Sequence, residues 1–398
     1  MEQGNGEIPT AERDAAAQLM TVAQLRRQLA DVMRVDTHEV LRPPDEAIAF
    51  RGQIEGDAEA AFKQISQRFA DAGYIASLRD SSGGGHEVVA VKGAFEQKTG
   101  RVWVNVVLFL ATALSVLYFG ALNALDPAMV EGTTGLGILI APLTHIYLGV
   151  PFAATLMGIL LAHELSHYFV GRLHGSPQSL PYFIPFPNVL FGTMGALIVQ
   201  RKPMQNRKAL LDIGIAGPLG GLIVAIPLLI IGLALSDVGP PPAGIEGAIQ
   251  EGNSLLYAGL KYLVFGRFLP AGGEDVWLHP IAFAAWAGLF ITMLNLVPIG
   301  QLDGGHVSYA LLGRKAWTLG HIVIGALIVW GGWLTLNGNG GGGIWMMWGF
   351  LNLILNRRHP LPLDDVTKLD WRRVALGVLL LIVFVILFMP APLQQVIF

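Results

Sequence analysis

From Val102 onward, apolar residues dominate in runs long enough to cross a bilayer, for which about 20 residues suffice. Residues 102–122, 151–170, 213–235, 281–297, 316–336, a short glycine-led 340–355, and 374–389 read as about seven spans. Residues 135–150 are apolar too, but Pro142 and His145 interrupt them, which predicts an interfacial or re-entrant segment. The first hundred residues are patterned differently. Residues 10–34 read as a helix and 47–53 as a strand. Residues 57–72 read as an amphipathic helix with Ala61, Phe62, Ile65 and Phe69 on one face. Residues 74–78 and 88–91 alternate like strands around a turn at 81–86. The expected fold class is therefore a polytopic α-helical membrane protein with a small N-terminal α+β soluble domain. The boundary falls near residue 101, leaving 102–398 as the membrane body.

Composition sharpens that division. The chain is 53% hydrophobic and only 14% charged, against about 25% charged in soluble proteins. Residues 1–102 nevertheless hold 28 of its 55 charged residues, a normal soluble density. An ordinary soluble enzyme and a disordered chain are both excluded. The absence of cysteine rules out disulfides, thiolate metal sites and cysteine nucleophiles. A net charge of −3 gives no reason to expect nucleic acid as a partner. The first residues carry no apolar stretch of a secretory signal.

Charge also orients the spans. With the N-terminal domain in the cytoplasm and each span crossing once, only Lys261 and Arg267 of the 26 Lys and Arg fall on the outer side. That bias is the positive-inside pattern, and counting 135–150 as a full crossing would spoil it. The expected location is a bacterial cytoplasmic membrane.

Ionisable residues within a span are costly and point to function. The second span contains His163-Glu164-Leu165-Ser166-His167, an H-E-x-x-H sequence. Positions i and i+4 share a helix face, so both imidazoles can reach one metal ion, with the glutamate placed as general base. A catalytic zinc site needs a third protein ligand and one open position. Asp303 is the best candidate: it follows the fourth span in Asn295-Leu-Val-Pro298-Ile-Gly-Gln-Leu-Asp303-Gly304-Gly305-His306, at the same cytoplasmic depth. His306 is expected to face solvent, His174 and His359 to be interfacial and solvated, and His145 and His321 to be hydrogen-bonded within the bundle. A polytopic metal or ion transporter using the same His and Asp site is the alternative reading. No second H-E-x-x-H or Asp-Gly counterpart is present to give the repeated halves a transporter favours.

H-E-L-S-H together with N-x-x-P-x-x-x-x-L-D-G resembles the site-2 protease family of intramembrane zinc metalloproteases. The segment Phe191-Gly-Thr-Met-Gly195-Ala resembles that family's glycine-containing hairpin. Asp212-Ile-Gly-Ile-Ala-Gly217-Pro218-Leu-Gly-Gly resembles its third-helix motif. The resemblance covers about residues 145–312 and looks closest to the chloroplast and cyanobacterial branch. It implies a three-helix catalytic core with a re-entrant hairpin, and one Zn2+ per chain held by His163, His167 and Asp303. It further implies Glu164 and Asn295 as catalytic residues, and Gly192, Thr193, Gly195 and Pro298 around the bound substrate. The implied partners are a transmembrane protein substrate and the lipid bilayer; the oligomeric state is left open. The family often has Arg where this chain has His306, and the outer segment 236–278 is too short for a PDZ-sized insertion.

Overall fold

A computed structural model of the chain describes residues 10–41, 47–95, 100–126, 129–130, 135–187, 190–240, 246–355 and 358–397. It divides into two compact units. One comprises residues 1–98 together with 203–207 and 361–368; the other comprises the remainder.

The first unit contains α1 (Thr10–Leu29), β1 (Met33–Leu41), β2 (Ala47–Ile54), α2 (Ala58–Asp71), β3 (Tyr74–Asp80) and β4 (His86–Lys92). The strands form one antiparallel sheet in the order β1-β2-β4-β3. The apolar face of α2 buries Phe62, Ile65 and Phe69 against Phe50, Leu78 and Val88 of the sheet and Leu25 and Leu29 of α1. Asp57 caps α2, accepting from the Ala60 amide at 2.8 Å. The expected helix over 10–34 stops at Leu29, and the residues after it form β1. Its eight-residue pairing with β2 supplies hydrogen bonds that a lone helical extension could not. A later segment completes this unit: the Leu78 amide donates to Leu363 O at 2.7 Å and the Asp365 amide to Leu78 O at 3.0 Å. Met204 O and Gln205 O in turn accept from the amides of Leu363 and Asp364.

The second unit is mainly helical: α3 (Val102–Ala124), α4 (Leu136–Thr144), α5 (Val150–Leu173), α6 (Arg207–Ala234), α7 (Leu255–Phe265), α8 (Pro280–Leu296), α9 (Asp303–Leu312), α10 (Lys315–Leu336), α11 (Gly342–Leu355) and α12 (Trp371–Leu387). Among the described residues four helices are long and apolar enough to cross a membrane: α3, α5 with the 3-10 turn before it, α6 and α10. The helices α8 and α11 are shorter and also apolar. Residues 135–150 form α4, broken at His145, and the 3-10 turn Ile146–Gly149 rather than a single helix.

Two small antiparallel pairs lie between the helices: β7 (Asp237–Gly239) with β9 (Asp275–Trp277), and β8 (Glu246–Glu251) with β10 (Leu393–Ile397). A third, β5 (Tyr182–Pro185) with β6 (Thr193–Leu197), forms the hairpin after α5. Polar residues on one face of α3 hold that hairpin. Asn105 Nδ2 donates to Leu180 O and Pro181 O at 2.9 and 3.0 Å, and Ser115 Oγ donates to Gly192 O at 2.6 Å. Gly192 has φ +83°, and a Cβ there would lie 2.7 Å from Ser115 O, so only glycine permits this approach. Next to it, Phe191 takes φ 64° and is buried, edge-on to Phe119 of α3 and to Phe283, Trp286 and Phe290 of α8. The strain of a left-handed phenylalanine is offset by that aromatic cage.

Candidate metal centre

His163, Glu164 and His167 lie on α5, where the i, i+4 spacing sets the two imidazoles on one face. Asp303 opens α9 after a broken stretch that follows α8. Pro298 starts the break, Gly300 takes φ 49°, and the Leu302 amide donates to Ile299 O at 3.1 Å. Gly304 fits the second helix tightly against the first, since a Cβ there would lie 1.9 Å from Leu296 O. The Asp-Gly-Gly sequence therefore lets a carboxylate project beside α5 from a helix start that any larger residue would push away.

The side chains converge. His163 Nε2 and His167 Nε2 are 3.2 Å apart. Asp303 Oδ2 lies 3.2 Å from His163 Nε2, and Oδ1 lies 3.2 Å from His167 Nε2. Exposure is 4% for His163, 6% for Glu164, and 8% for both His167 and Asp303. His167 Nδ1 lies 2.8 Å from Ile213 O on α6. A carbonyl only accepts, so Nδ1 carries a proton, and in the neutral ring Nε2 presents a lone pair toward the cluster. Asp303 Oδ2 is buried without a hydrogen-bond donor. Lone pairs facing one another at this distance repel unless a cation lies between them. Tetrahedral zinc with ligands at about 2.0–2.1 Å places ligand atoms about 3.3–3.4 Å apart, close to the separation of the two imidazole nitrogens and to that of each from one oxygen of Asp303. The donor set therefore fits a divalent metal, and among the described residues no other group of three His, Asp or Glu does so.

α6 shapes the other side of this centre. A Cβ on Gly217 would lie 2.0 Å from His167 Nε2, and one on Gly221 would touch His163 at 3.4 Å. The glycine-rich run quoted from the sequence thus makes room for the imidazoles, and Ile213, four residues before Gly217, orients one of them. Neither role is visible in the sequence, because both depend on which face of α6 meets α5. Asp212, beside Ile213, accepts from Arg373 of α12 at 2.7 Å and lies 2.9 Å from His174 Nε2, so His174 is paired rather than merely solvated.

The remaining expected site residues are placed as follows. Asn295 is on the last turn of α8 and half-buried, and Pro298 is buried in the turn before α9. Thr193 is buried, with Oγ1 donating to Ile184 O at 3.0 Å and accepting from the Gly195 amide at 3.0 Å, so its hydroxyl is used inside the hairpin. Gly195 has φ +89° and open space where a side chain would be. His306 and His359 depart from the expected exposure: their rings are 2.6 Å apart, Nδ1 to Nε2, and His359 is buried. His145 and His321 are bonded to Ala141 O and Trp317 O in their own helices.

Residues 151–321 match the model described as Peptidase family M50. Similar curated proteins include the probable chloroplastic zinc metalloprotease EGY2 of Arabidopsis thaliana, 28% identical over 94% of this chain and 67% of that protein. EGY1 of the same plant is 27% identical over 85% of this chain and 65% of that protein. EGY2 of Oryza sativa subsp. indica is 30% identical over 61% of this chain and 43% of that protein. The chain thus spans about two thirds or less of the length of these relatives. No solved structure matches it. A transporter finds no counterpart among these relatives. The expected bacterial cytoplasmic membrane gains no support either, since the relatives are named as chloroplastic.

Proposed function

From the premise that residues 151–321 belong to peptidase family M50, we propose that the chain is an intramembrane zinc endopeptidase acting on transmembrane helices of other proteins. The observation that carries this reading is the buried convergence of His163, His167 and Asp303 at 3.2 Å, with Glu164 adjoining, within an apolar helix bundle. The chain is an integral membrane protein. In the finer reading, about seven spans place the basic loops and the N-terminal α+β domain on the cytoplasmic side. The partners are then a membrane protein substrate and the bilayer.

His163, His167 and Asp303 hold one zinc ion in this reading. When bound, zinc supplies Lewis-acid polarisation and lowers the pKa of a water to about 7. The other steps belong to side chains. Glu164 takes the proton of the attacking water and returns it to the leaving amine. Asn295 offers its amide to the carbonyl oxygen as charge develops there. Ile213 O keeps His167 in the tautomer that leaves Nε2 free. A peptide bond in a membrane helix is hidden by its own backbone hydrogen bonds, so the substrate must unwind locally. The hairpin supports that step. β6 has one strand neighbour among the described residues, and Gly195 leaves its surface open, so an extended segment can pair along it near Gly192, Thr193 and Gly195.

The test is Glu164→Ala in liposomes with a single-span substrate, with and without zinc. Loss of cleavage with zinc content retained is expected. Equal cleavage by both proteins would remove Glu164 from the mechanism.

A further inference from the structure

α9 carries the carboxylate of the metal centre, yet it is only ten residues long and receives no side-chain cap at Leu302. Its first turn has to be held from elsewhere. His306 is three residues after Asp303, on the same face of the helix. Its Cβ packs against α6, 2.8 Å from where a Cβ on Gly214 would be, one turn before the Gly217 that faces His167.

His306 Nδ1 lies 2.6 Å from Nε2 of His359, in the segment between α11 and α12. Three neighbours fix His359. Its ring stacks on Tyr309 at 4.7 Å and 19°, its carbonyl accepts from Trp317 Nε1 at 3.1 Å, and its Nδ1 is 2.5 Å from Pro360 O. These contacts determine where the protons are. Pro360 O can only accept, so His359 Nδ1 is protonated and Nε2 holds a lone pair. His306 must then donate from Nδ1. Burial first, then the cost of a second charge beside His306 were both rings protonated, pushes His359 down to about 3. Burial pushes His306 down to about 4, against the Asp303 carboxylate and with the help of His167. Both rings are neutral, and one directed hydrogen bond joins them.

We propose that His306 and His359 are positioning residues for the metal centre: their hydrogen bond holds the first turn of α9 in the register that brings Asp303 to His163 and His167. The proposal rests on Asp303 being a metal ligand. The pair acts one layer outside the ligands, where orienting contacts typically change metal affinity 10–100-fold (about that range).

The experiment uses the full chain in detergent. Zinc affinity is measured by chelator competition, the absorption spectrum is recorded with Co2+ in place of zinc, and kcat and KM are measured separately. His359→Gln keeps an acceptor near Nε2, and His306→Asn keeps a donor near Nδ1; both should stay close to wild type. His359→Leu and His306→Leu each strand a polar partner and should bind zinc about 10–100-fold more weakly. Their Co2+ spectra should shift, and kcat should fall with KM unchanged. The double variant His306→Leu/His359→Leu strands neither ring nitrogen, and the exposed Pro360 can take its hydrogen bond from water, so it should fold and still bind zinc weakly. Wild-type zinc affinity in the double variant, or equal losses in the conservative and leucine variants, would overturn the proposal. An Asp303→Ala protein that retains zinc would instead remove the ligand assignment, which separates the two failures.

Discussion

Two buried clusters of ionisable side chains lie in the helical unit, and they are built on opposite principles. In the segment between α6 and α8, Lys261 is fully buried. Its Nζ lies 3.2 Å from Glu251 Oε1 and 3.6 Å from Asp275 Oδ1, over the ring of Tyr257. Tyr257 OH donates to Glu251 Oε1 at 3.0 Å, and Gln250 Nε2 donates to Asp275 Oδ2 at 2.6 Å. The ammonium, the phenol and the amide give the carboxylates donors from within the protein. The cluster of His163, His167 and Asp303 is as well buried, but its ligand atoms meet around one point and Asp303 Oδ2 has no hydrogen-bond donor there. The first is closed and holds the segment between α6 and α8 together; Trp286 Nε1, donating to Gly252 O at 2.9 Å, ties that segment to α8. The second is placed so that it could hold a metal ion. Burial of charge is common to both; the Asp303 oxygen left without a donor separates the candidate ligand set from the structural network.

The largest effect should come from taking one acceptor out of the open cluster. His167→Ala or Asp303→Ala should reduce bound zinc from about one ion per chain to near none, measured by elemental analysis of the purified protein. Cleavage should drop by about 10³-fold or more, the equivalent of the several kcal/mol a metal supplies to a transition state. Chelation of the wild type should do the same and be reversed by added zinc. Full zinc content in either variant would show that the open cluster does not hold the metal.

Removing the cation from the closed cluster should act on stability instead. Lys261→Met leaves the Glu251 carboxylate without a counter-charge next to the half-buried Asp275, which costs about 3–5 kcal/mol. Thermal unfolding in detergent should show a clear loss, while the molecules that remain folded keep their zinc. A Lys261→Met protein of normal stability but without zinc would collapse the distinction between the clusters.

The two clusters also differ in how far they could be read from sequence. H-E-x-x-H is legible because a helix turns a spacing of four into one face. Asp303 is legible because span depth puts it level with the histidines. The spans near 102–122, 151–170, 213–235 and 316–336 follow from long apolar runs, and each corresponds to a helix of spanning length. What escaped depends on non-local pairing. The helix expected over 10–34 overruns into the first residues of β1, the rest of that strand carries no strand signal, and nothing local marks residues 361–368 as partners of β3. The outer segment was read only as a loop, although it folds as β7, β8, α7 and β9. Lys261 counted there as one of two misplaced positive charges, whereas its partners are ten residues before it and fourteen after it. His306 and His359 are 53 residues apart, and only the packing of α9 beside the His359 segment makes them a pair.

The smallest expected effect sharpens the account of the closed cluster. Burial raises the Glu251 carboxyl above its ordinary 4.5, with Lys261 opposing and Asp275 adding to the rise. The folded state then holds a proton on Glu251 more tightly than the unfolded chain does. Between the ordinary value and the raised one, the folded state binds more protons, so this group's contribution to stability falls as pH rises through that window. It is fully present below the ordinary value and lost above the raised one. Glu251→Gln, which cannot ionise, should flatten this part of the pH–stability curve. The variant should lose least relative to wild type at high pH, where the wild type bears the full cost of a buried carboxylate. Unfolding midpoints across a pH series, at fixed salt and with zinc present, compare the two proteins. Parallel curves would mean that Glu251 keeps the same protonation in the folded and unfolded chain, and that Lys261 fully compensates its burial.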